Sequence, residues 1–292
     1  AGAEVKEITP DGYVQTLGQL TGTQYIVTGT SGTDQTNLNF ANFEKFDLSG
    51  TKYTDITGDG LSTDDTGLGG VTIFIDVNGN GDDDDGYSVV TANGTTDDLD
   101  GDGNVDAEGF WAFTDLDAAD AAIIAGAEVK EITPDGYVQT LGQLTGTSYT
   151  VTGTSGADQT GLDFANFEKF DLSGTKYTDA NGDGLTDGDL GLGGVTIFID
   201  VNDNGEDDDG YSVVTANGTT DDLDGDGNVD AEGFWAFTDL DAADAAIIAG
   251  AEVKEITPDG YVQTLGQLTG TQYIVTGTSG TDQTNLNFAN FE

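Results

Sequence analysis

The sequence predicts an all-β chain of tandem antiparallel β-sandwich modules, and two observations lead to this prediction. Short runs rich in Val, Ile, Phe, Tyr and Thr are bounded by Gly, Asp and Asn, which is typical of strands joined by turns. The segment that begins at Ala1 returns at Ala125 and at Ala249, and this period of 124 residues is the size of a whole domain. Cysteine is absent, so disulfides do not hold the modules together.

The phase of the repeat predicts the domain boundaries. The run Phe-Asp-Leu-Ser-Gly-Thr-Lys-Tyr begins at Phe46 and at Phe170, and the run Phe-Ala-Asn-Phe-Glu ends at Glu168 and at Glu292. We therefore expect complete modules at 45–168 and 169–292, joined almost without a linker. Residues 1–44 correspond to the last third of a module, and we expect either upstream sequence or another molecule to complete them.

Within one module, seven runs predict strands and one run predicts a helix. The predicted strands are residues 47–53, 71–77, 87–91, 110–114, 128–132, 148–152 and 161–167. The Ala-rich run 116–124 predicts one or two helical turns at the edge of a sheet. Aromatic residues such as Trp111 and Phe164 are expected in the core.

The composition excludes several classes of function. The formal net charge is -48, from 55 acidic residues against seven lysines and no arginine. This charge argues against nucleic acid and anionic membrane surfaces as partners, because both bind to clusters of basic residues and the sequence has none. No apolar run is long enough to span a bilayer. Histidine and cysteine are absent, which excludes catalytic triads, thiol nucleophiles and the usual zinc sites.

The acidic residues are concentrated in three loops of each module. Between positions 46 and 168 there are 25 acidic residues, of which 15 lie within 55–65, 76–85 and 97–108. We call 55–65 and its copy 179–189 loop 1, 76–85 and its copy 200–209 loop 2, and 98–108 and its copy 222–232 loop 3. A charge of this size drives the compact state apart unless cations neutralise it.

Loop 3 has the spacing of an EF-hand-type calcium loop. Carboxylates stand at positions 1, 3, 5 and 9, and a glycine at position 6 permits the sharp turn. The acid expected at position 12 is missing; Glu108 stands at position 11. We therefore expect calcium binding outside a helix-loop-helix frame, and the alternative interpretation is a solvated acidic turn. The candidate ligands are Asp98, Asp100, Asp102, Asn104, Asp106 and Glu108, with Asp222, Asp224, Asp226, Asn228, Asp230 and Glu232 in the second copy.

Loops 1 and 2 resemble this pattern less closely, and the same two interpretations apply to them. The candidate ligands in loop 1 are Asp55, Thr57, Asp59, Leu61, Asp64 and Asp65, with Asp179, Asn181, Asp183, Leu185, Asp187 and Asp189 in the copy. The candidate ligands in loop 2 are Asp76, Asn78, Asn80, Asp82 and Asp84, with Asp200, Asn202, Asn204, Glu206 and Asp208 in the copy. The sequence thus predicts two to four Ca²⁺ ions per module. Affinities of about 0.1–1 mM are typical of extracellular modules, so we expect an extracellular or cell-surface location.

The order of the motifs resembles a known family. Leu-Ser-Gly-Thr-Lys-Tyr-Thr-Asp, Asp-x-Asn-Gly-Asp-Gly, Gly-Leu-Gly-Gly-Val-Thr-Ile-Phe-Ile-Asp, Gly-Phe-Trp-Ala-Phe-Thr-Asp-Leu and Glu-Ile-Thr-Pro-Asp-Gly-Tyr follow one another in each module. This order is similar to the calcium-binding B-type repeat of serine–aspartate-repeat surface adhesins, which is related to collagen-adhesin B-type and transthyretin-like domains. The resemblance implies an Ig-like or transthyretin-like β-sandwich that calcium rigidifies and that serves as a stalk.

Some relatives in that family carry a Lys–Asn isopeptide bond, and the resemblance implies candidate positions for it here. Lys52 lies in the first predicted strand, Asn166 in the last, and Glu131 is a candidate helper carboxylate. The second module offers Lys176, Asn290 and Glu255 in the same positions. The alternative is that the lysine pairs with an acid of a loop. An intact mass that shows no loss of ammonia would exclude the crosslink.

We expect a structural protein rather than an enzyme: the calcium-rigidified stalk of an adhesin, or a subunit of a surface filament. Its partners would be neighbouring copies of the module, in tandem or in a filament, with strand addition at residues 1–44. The alternative function is a module that binds carbohydrate or a host ligand, which would need one copy to differ at an exposed face. A hydrolase with a carboxylate pair is a third interpretation, but the acids stand in metal-type spacing on turns.

Overall fold

A computed structural model describes residues 2–292. About 33% of the residues lie in strands and 8% in helices, which confirms the all-β class. The chain divides into two compact units: residues 1–53, 67–134 and 141–165 form the first, and residues 54–66, 135–140 and 166–292 form the second. The predicted domain boundaries at 44/45 and 168/169 follow the repeat and stay a prediction.

The strands recur with the period of the sequence. The N-terminal segment contains β1 Glu4–Val5, β2 Tyr13–Leu17, β3 Tyr25–Ile26 and β4 Ala41–Glu44. The next repeat contains β5 Phe46–Thr54, β6 Thr66–Gly67, β7 Thr72–Asp76, β8 Ser88–Val90, β9 Phe110–Leu116, α1 Ala118–Ile124, β10 Glu128–Glu131, β11 Tyr137–Leu141, β12 Tyr149–Thr150 and β13 Phe164–Glu168. The last repeat contains β14 Phe170–Thr178, β15 Leu190–Gly191, β16 Thr196–Asp200, β17 Ser212–Val214, β18 Phe234–Leu240, α2 Ala242–Ile248, β19 Glu252–Glu255, β20 Val262–Leu265, β21 Tyr273–Ile274 and β22 Phe288–Phe291.

The last repeat forms two sheets that face a common core. One sheet has the order β15-β14-β22-β20, with β18 also paired to β14, and the other has the order β17-β16-β19-β21. Leu172 and Phe288 from the first sheet and Ile197 and Val253 from the second are all buried in one cluster. This arrangement is the predicted sandwich.

In the first unit, the equivalent pairings are those of β12-β10-β7-β8 and of β5 with β9. Its core contains Leu48, Ile73, Trp111 and Phe164, each fully buried. The aromatic residues therefore lie where the sequence predicted them.

The strand pairing adds one feature that periodicity did not indicate. Most pairs are antiparallel, but β14 and β22 run parallel, with Lys176 opposite Phe288 and Thr178 opposite Asn290. The first and last strands of the module are thus direct neighbours in one sheet, although their sequences are more than a hundred residues apart.

The helix begins later than the run 116–124 predicted. In the last repeat, Asp241 caps α2 by accepting hydrogen bonds from the backbone N–H groups of Ala243 at 2.8 Å and Asp244 at 3.2 Å. The Asp244 carboxylate in turn accepts from the Asp241 N–H at 3.1 Å, which completes a capping box. The capping box at Asp241 therefore sets the start of the helix at Ala242. Leu240, which the predicted helical run included in its first copy as Leu116, belongs to strand β18.

Candidate functional site

A buried lysine occupies the middle of the first strand of the module. Along β14, burial alternates with a period of two, and Phe170, Leu172, Gly174 and Lys176 all face inward. The alternation therefore carries Lys176 into the core, where its side chain is fully shielded from solvent. A buried ammonium group needs a partner, because its desolvation is costly.

The partner is Glu255, which comes from the opposite sheet. Val253 and Glu255 share one face of β19, and that face lines the core. Lys176 Nζ lies 2.8 Å from Glu255 Oε2, and both side chains are fully shielded from solvent. Burial lowers the pKa of Lys176 to about 8, although the Glu255 carboxylate opposes the shift. The neutral amine therefore forms more readily here than at an exposed lysine.

Asn290 completes the cluster from the last strand. Phe288 and Asn290 lie on one face of β22, and Phe288 is directly opposite Lys176 in the parallel pair, so Asn290 is its diagonal neighbour on the same face. Asn290 is fully buried, and neither its amide oxygen nor its amide nitrogen has a hydrogen-bond partner within residues 2–292. Each such orphan costs about 1–3 kcal/mol, so a buried carboxamide with two of them calls for an explanation.

Buried aromatic residues lie on the same sheet faces as Lys176 and Asn290. Trp235 is opposite Gly174 in the β14–β18 pair, on the face that also carries Lys176. The Trp235 and Phe288 ring centroids are 6.3 Å apart, and those of Tyr273 and Phe288 are 5.3 Å apart. Trp235, Phe288 and Lys176 are all fully buried, which explains why desolvation dominates the pKa of Lys176.

The preceding module repeats the pair. Lys52 Nζ lies 2.8 Å from Glu131 Oε2, and both side chains are fully shielded within the first unit. Asn166, in the second unit, is itself fully buried. All six residues that the family resemblance implied are thus buried, and in the last repeat the structure brings lysine and glutamate into direct contact.

Chemically, the cluster contains a nucleophile, an acyl group and a proton carrier. A neutral amine beside a carboxamide undergoes amide exchange when a carboxyl group moves the proton. The dry surroundings favour the neutral amine and keep water from competing as a nucleophile. This arrangement fits the formation of an amide bond between Lys176 and Asn290.

Loop 3 is the acidic loop whose carboxylates converge. In each copy, three carboxylates present oxygens within 4.8 Å of one another: Asp98, Asp100 and Asp102, and Asp222, Asp224 and Asp226. All six are exposed, and Asp98 accepts a hydrogen bond from the Gly103 N–H at 3.0 Å, which closes the turn. Burial raises the pKa of Asp230, with further contributions from the nearby acids of the loop. Converging hard oxygen donors fit a Ca²⁺ ion, which would be held by these three aspartates and would neutralise their repulsion.

Loop 1 begins with a buried carboxylate. Asp179 is 1% exposed and accepts hydrogen bonds from the backbone N–H groups of Gly182 at 2.6 Å and Gly184 at 2.8 Å. Burial alone would raise the pKa of Asp179, but the hydrogen bonds from the loop backbone outweigh it and lower the pKa. Asp189 folds the other end of the loop by accepting from the Thr186 N–H at 2.8 Å. The first copy is built in the same way around Asp55 and Asp65.

Loop 1 of the first module is part of the second compact unit, which includes residues 54–66. Within that unit, the loop contacts residues of the last repeat. The backbone carbonyl of Ile56 accepts a hydrogen bond from the Ser279 N–H at 3.0 Å. A Cβ atom on Gly58 would lie 3.0 Å from the Cβ of Ala242, so the turn is packed against the start of α2. An ion held in this loop would therefore act on a packed contact rather than on a free turn.

The first aspartate of loop 2 pairs with a lysine of a neighbouring strand, a contact that the sequence did not predict. Lys254 Nζ lies 2.6 Å from Asp200 Oδ2, and Lys130 Nζ lies 2.6 Å from Asp76 Oδ2 in the first copy. Burial by itself would raise the pKa of Asp200. The contact with Lys254 and the hydrogen bond from the Gly205 N–H outweigh burial, so the pKa of Asp200 is lowered. The run Glu-Val-Lys-Glu indicates only that the lysine lies on the strand face opposite to Val253, whereas its partner Asp200 is 54 residues away in the chain.

Most of the remaining predicted ligands are exposed, and their side-chain hydrogen bonds are to other residues of the same loop. Asn202 Nδ2 donates to Asp208 at 3.0 Å, and Asn204 Nδ2 donates to the same carboxylate at 3.1 Å. Calcium binding in the three loops, and the number of ions, stay predictions. Among residues 2–292, no helix has the length and apolar character that a bilayer crossing requires.

No family model matches the chain, and no curated protein matches it. Three solved pilin structures are similar to it over 85% of its length. A streptococcal ancillary pilin is 14% identical with a TM-score of 0.29, and the chain covers 62% of that protein, which is less than two thirds. A minor pilin of Streptococcus agalactiae is 13% identical, 96% covered, with a TM-score of 0.28. The shaft pilin of Lactobacillus rhamnosus GG is 14% identical, 97% covered, with a TM-score of 0.26.

Proposed function

We propose that the chain is a structural, extracellular repeat protein whose β-sandwich modules are each locked by a Lys–Asn amide crosslink and further stiffened by calcium. It would form the stalk of a surface adhesin or a subunit of a surface filament, and it is not an enzyme acting on other molecules. The observation that carries the proposal is the contact of 2.8 Å between Lys176 Nζ and Glu255 Oε2. The amide of Asn290 lies on the neighbouring strand, buried and without a hydrogen-bond partner among residues 2–292.

The crosslinking reaction is balanced without an external reagent. The Lys176 ammonium passes a proton to the Glu255 carboxylate across their contact, which yields a neutral amine. The amine attacks Cγ of Asn290, the Nζ–Cγ bond forms, and the Cγ–Nδ2 bond breaks. Glu255 supplies the proton that lets the amide nitrogen leave as ammonia and takes up the proton that the attacking nitrogen releases. The products are one secondary amide and one ammonium ion, and the glutamate is regenerated.

The crosslink suits a load-bearing role because of where it lies. It joins β14, the first strand of the module, to β22, the last strand, and these two strands are direct neighbours. A force applied to the two ends of the module would then pass through a covalent bond rather than through the sandwich. The near-identity of the repeats also favours a shaft, since a shaft tolerates identical units.

Calcium is the second element of the proposal. Loop 3 offers three converging carboxylates, and loop 1 of the first module is packed against Ala242 and Ser279. Ions in these loops would neutralise part of the net charge of -48 and hold the packed loop in place. An extracellular location follows from this requirement, because millimolar calcium is found there.

Intact mass spectrometry tests the central claim. The protein should be lighter than its sequence mass by one ammonia for each complete module, which is two in all. Peptide mapping should find Lys176 joined to Asn290 and Lys52 joined to Asn166. A mass equal to the sequence mass would overturn the crosslink.

A further inference from the structure

The last repeat contains a groove of about 380 Å³ where loop 2, the end of α2 and strand β21 meet. Its lining includes three acids, two isoleucines and one amide: Asp200, Asp203, Glu252, Ile247, Ile274 and Gln272. We call it the Asp203 groove. Clefts of about 300–1,000 Å³ that combine apolar walls with a few polar groups are typical of ligand sites.

The acids of the groove outnumber its single lysine by two. Lys254 Nζ lies 2.6 Å from Asp200 Oδ2, and the contacts to Asp203 at 3.3 Å and Glu252 at 3.4 Å are longer. The Asp203 side chain is 92% exposed, so its carboxylate can turn toward a ligand. The excess of negative charge attracts a second cation into the groove.

Apolar side chains stand beside these acids. Ile247 is 54% exposed and Ile274 is 44% exposed, although isoleucine is usually buried. Ala249 and Ala251 also line the groove. The lining therefore suits a ligand that has both an aliphatic chain and a cationic head, the two parts that a lysine side chain combines.

The first module does not repeat this lining. Outside loop 1, the two complete modules differ at eight positions, and three of the eight line the groove in the last repeat. The three pairs, with the last repeat first, are Asp203 and Gly79, Gln272 and Ser148, and Ile274 and Thr150. The first module therefore has one acid, one amide and one isoleucine fewer at these positions.

The acids of the first module also have more complete partners. Ser148 donates a hydrogen bond to the carboxylate of Glu128, which is the copy of Glu252. Lys130 lies 2.6 Å from Asp76 and 3.3 Å from Glu128, so one lysine pairs with two acids rather than three. The difference between the copies thus alters the charge and the apolar wall of one groove. A structural shaft does not require such a difference, whereas a binding site does.

We propose that the Asp203 groove is a binding site for a primary alkylammonium group, carried either by a free aliphatic amine or by a lysine of a partner polypeptide. The ammonium head would lie between Asp203 and Glu252, which would accept charge-assisted hydrogen bonds from it. The aliphatic chain would lie against Ile247 and Ile274. The site does not depend on the crosslink, and it adds to the proposed stalk a ligand-binding function that the last module has and the first does not.

Methyl NMR of the full chain measures the binding. Pentylamine and a peptide with capped ends and one central lysine are titrated separately, in a buffer that contains calcium. We expect saturable shifts of the Ile247 and Ile274 methyl signals, whereas the signal of Ile123, the exposed copy of Ile247, should not move. Tighter binding of pentylamine assigns the site to a free amine, and tighter binding of the peptide assigns it to a lysine of a partner.

The uncharged alcohol 1-pentanol is the control for the ammonium group. It has the same aliphatic chain but cannot form charge-assisted hydrogen bonds, so it should bind about tenfold more weakly or less. Methyl shifts that neither amine produces would overturn the inference, as would equal binding of 1-pentanol and pentylamine.

The first module supplies the matched variant of the last. In the triple variant Asp203→Gly, Gln272→Ser, Ile274→Thr, each residue is exchanged for the one that its copy carries, so the fold is compatible with all three. This variant should bind pentylamine about tenfold more weakly, because it removes one carboxylate and one apolar contact. Unchanged affinity would overturn the inference, because the groove would then not be the site.

The reverse exchange should create a second site. In the triple variant Gly79→Asp, Ser148→Gln, Thr150→Ile, the methyl signal of Ile123 should begin to respond to pentylamine, and the stoichiometry should rise from one to two. A stoichiometry that stays at one would show that the three positions do not determine binding. Intact mass of the same samples reports the crosslink separately, so the two proposals can fail independently.

Discussion

Lys176 Nζ and Glu255 Oε2 lie 2.8 Å apart in the core of the last repeat, and no part of either side chain reaches solvent. A buried ion pair of this kind contributes little to stability by itself, since desolvation offsets the attraction. The buried amide of Asn290 finds no hydrogen-bond partner in the described part of the chain, residues 2–292, and this adds a further cost. Both costs are accounted for if the three side chains react, because the product is a neutral amide without a buried charge.

Replacing the proton carrier should separate folding from crosslinking. In Glu255→Gln the side chain keeps its shape but cannot move the proton, so the crosslink of that module should not form. The variant should then lose one ammonia, whereas the unaltered chain loses two. The variant module should be less stable by about 4–5 kcal/mol, which is the effect expected of a crosslink that closes a loop of roughly 100 residues. Intact mass and chemical denaturation measure the two effects.

The other module serves as the control for this variant. Its loss of ammonia, through Lys52, should be unchanged in Glu255→Gln. A variant that still loses two ammonia molecules would show that Glu255 does not take part.

Three glycines of the last repeat separate the effects of steric clash and backbone conformation. A Cβ on Gly174 would lie 2.3 Å from the carbonyl oxygen of Leu286, at an ordinary φ. Gly227 has a φ of +84° with open space around it, and Gly233 combines a φ of +86° with an approach of 2.2 Å to the carbonyl oxygen of Lys176.

We therefore expect Gly227→Ala to cost about 1–2 kcal/mol for the left-handed conformation alone. Gly174→Ala should cost about 1–3 kcal/mol from overpacking, and Gly233→Ala should be the most destabilising of the three. Thermal unfolding of the three variants gives the order. A Gly227→Ala variant as unstable as Gly233→Ala would contradict the packing at the Lys176 strand.

The pair of Asp200 and Lys254 predicts a loss of stability in acid. The folded-state pKa of Asp200 lies below its ordinary value of 3.8, so its stabilising contribution is complete above that value and is lost as the pH falls through the lower, folded-state pKa. Lys254→Met removes the cation and leaves a buried carboxylate, which should cost about 3 kcal/mol at pH 7. The difference in the free energy of unfolding between Lys254→Met and the unaltered protein, measured by chemical denaturation, should shrink as the pH approaches 3.

Lys169→Met is the matched control for this prediction. Lys169 pairs at 3.3 Å with Asp239, whose side chain is 75% exposed, so its removal should change stability by less than about 0.5 kcal/mol. Equal effects of the two lysine variants at pH 7 would refute the role of burial at Asp200.

Removing calcium should lower the thermal midpoint. For sites with dissociation constants of about 0.1–1 mM, calcium at 1 mM stabilises the folded state by about 0.4–1.4 kcal/mol per site. The triple variant Asp222→Asn, Asp224→Asn, Asp226→Asn should lose part of this calcium-dependent increase, because it removes the converging carboxylates of loop 3. Differential scanning calorimetry with and without a chelator measures the change.

Asp259→Asn provides the control for charge, since it removes one exposed acid outside the three loops. It should keep the full response to calcium. A midpoint that is the same with calcium and with chelator would exclude calcium from the proposal.

The sequence by itself determined the fold class, the repeat and the parity of the lysine. Alternation along Phe170, Leu172 and Lys176 is a local property, so it can be read without knowing which strands are neighbours. The same holds for the capped helix and the acidic loops, whose spacing lies within a dozen residues. The strand at 137–141 was missed because its polar residues, Gln and Thr, weaken the hydrophobic pattern.

Only the tertiary structure decided which residues meet. The parallel pairing of β14 with β22 and the arrival of Glu255 from the opposite sheet join positions that are far apart in the chain, and strand parity says nothing about neighbours. The same limit hid Lys254, whose partner Asp200 lies 54 residues away. Periodicity sets the face of the strand on which a side chain lies. Which residues that side chain contacts depends on how the two sheets pack, because the packing minimises the free energy of the whole module.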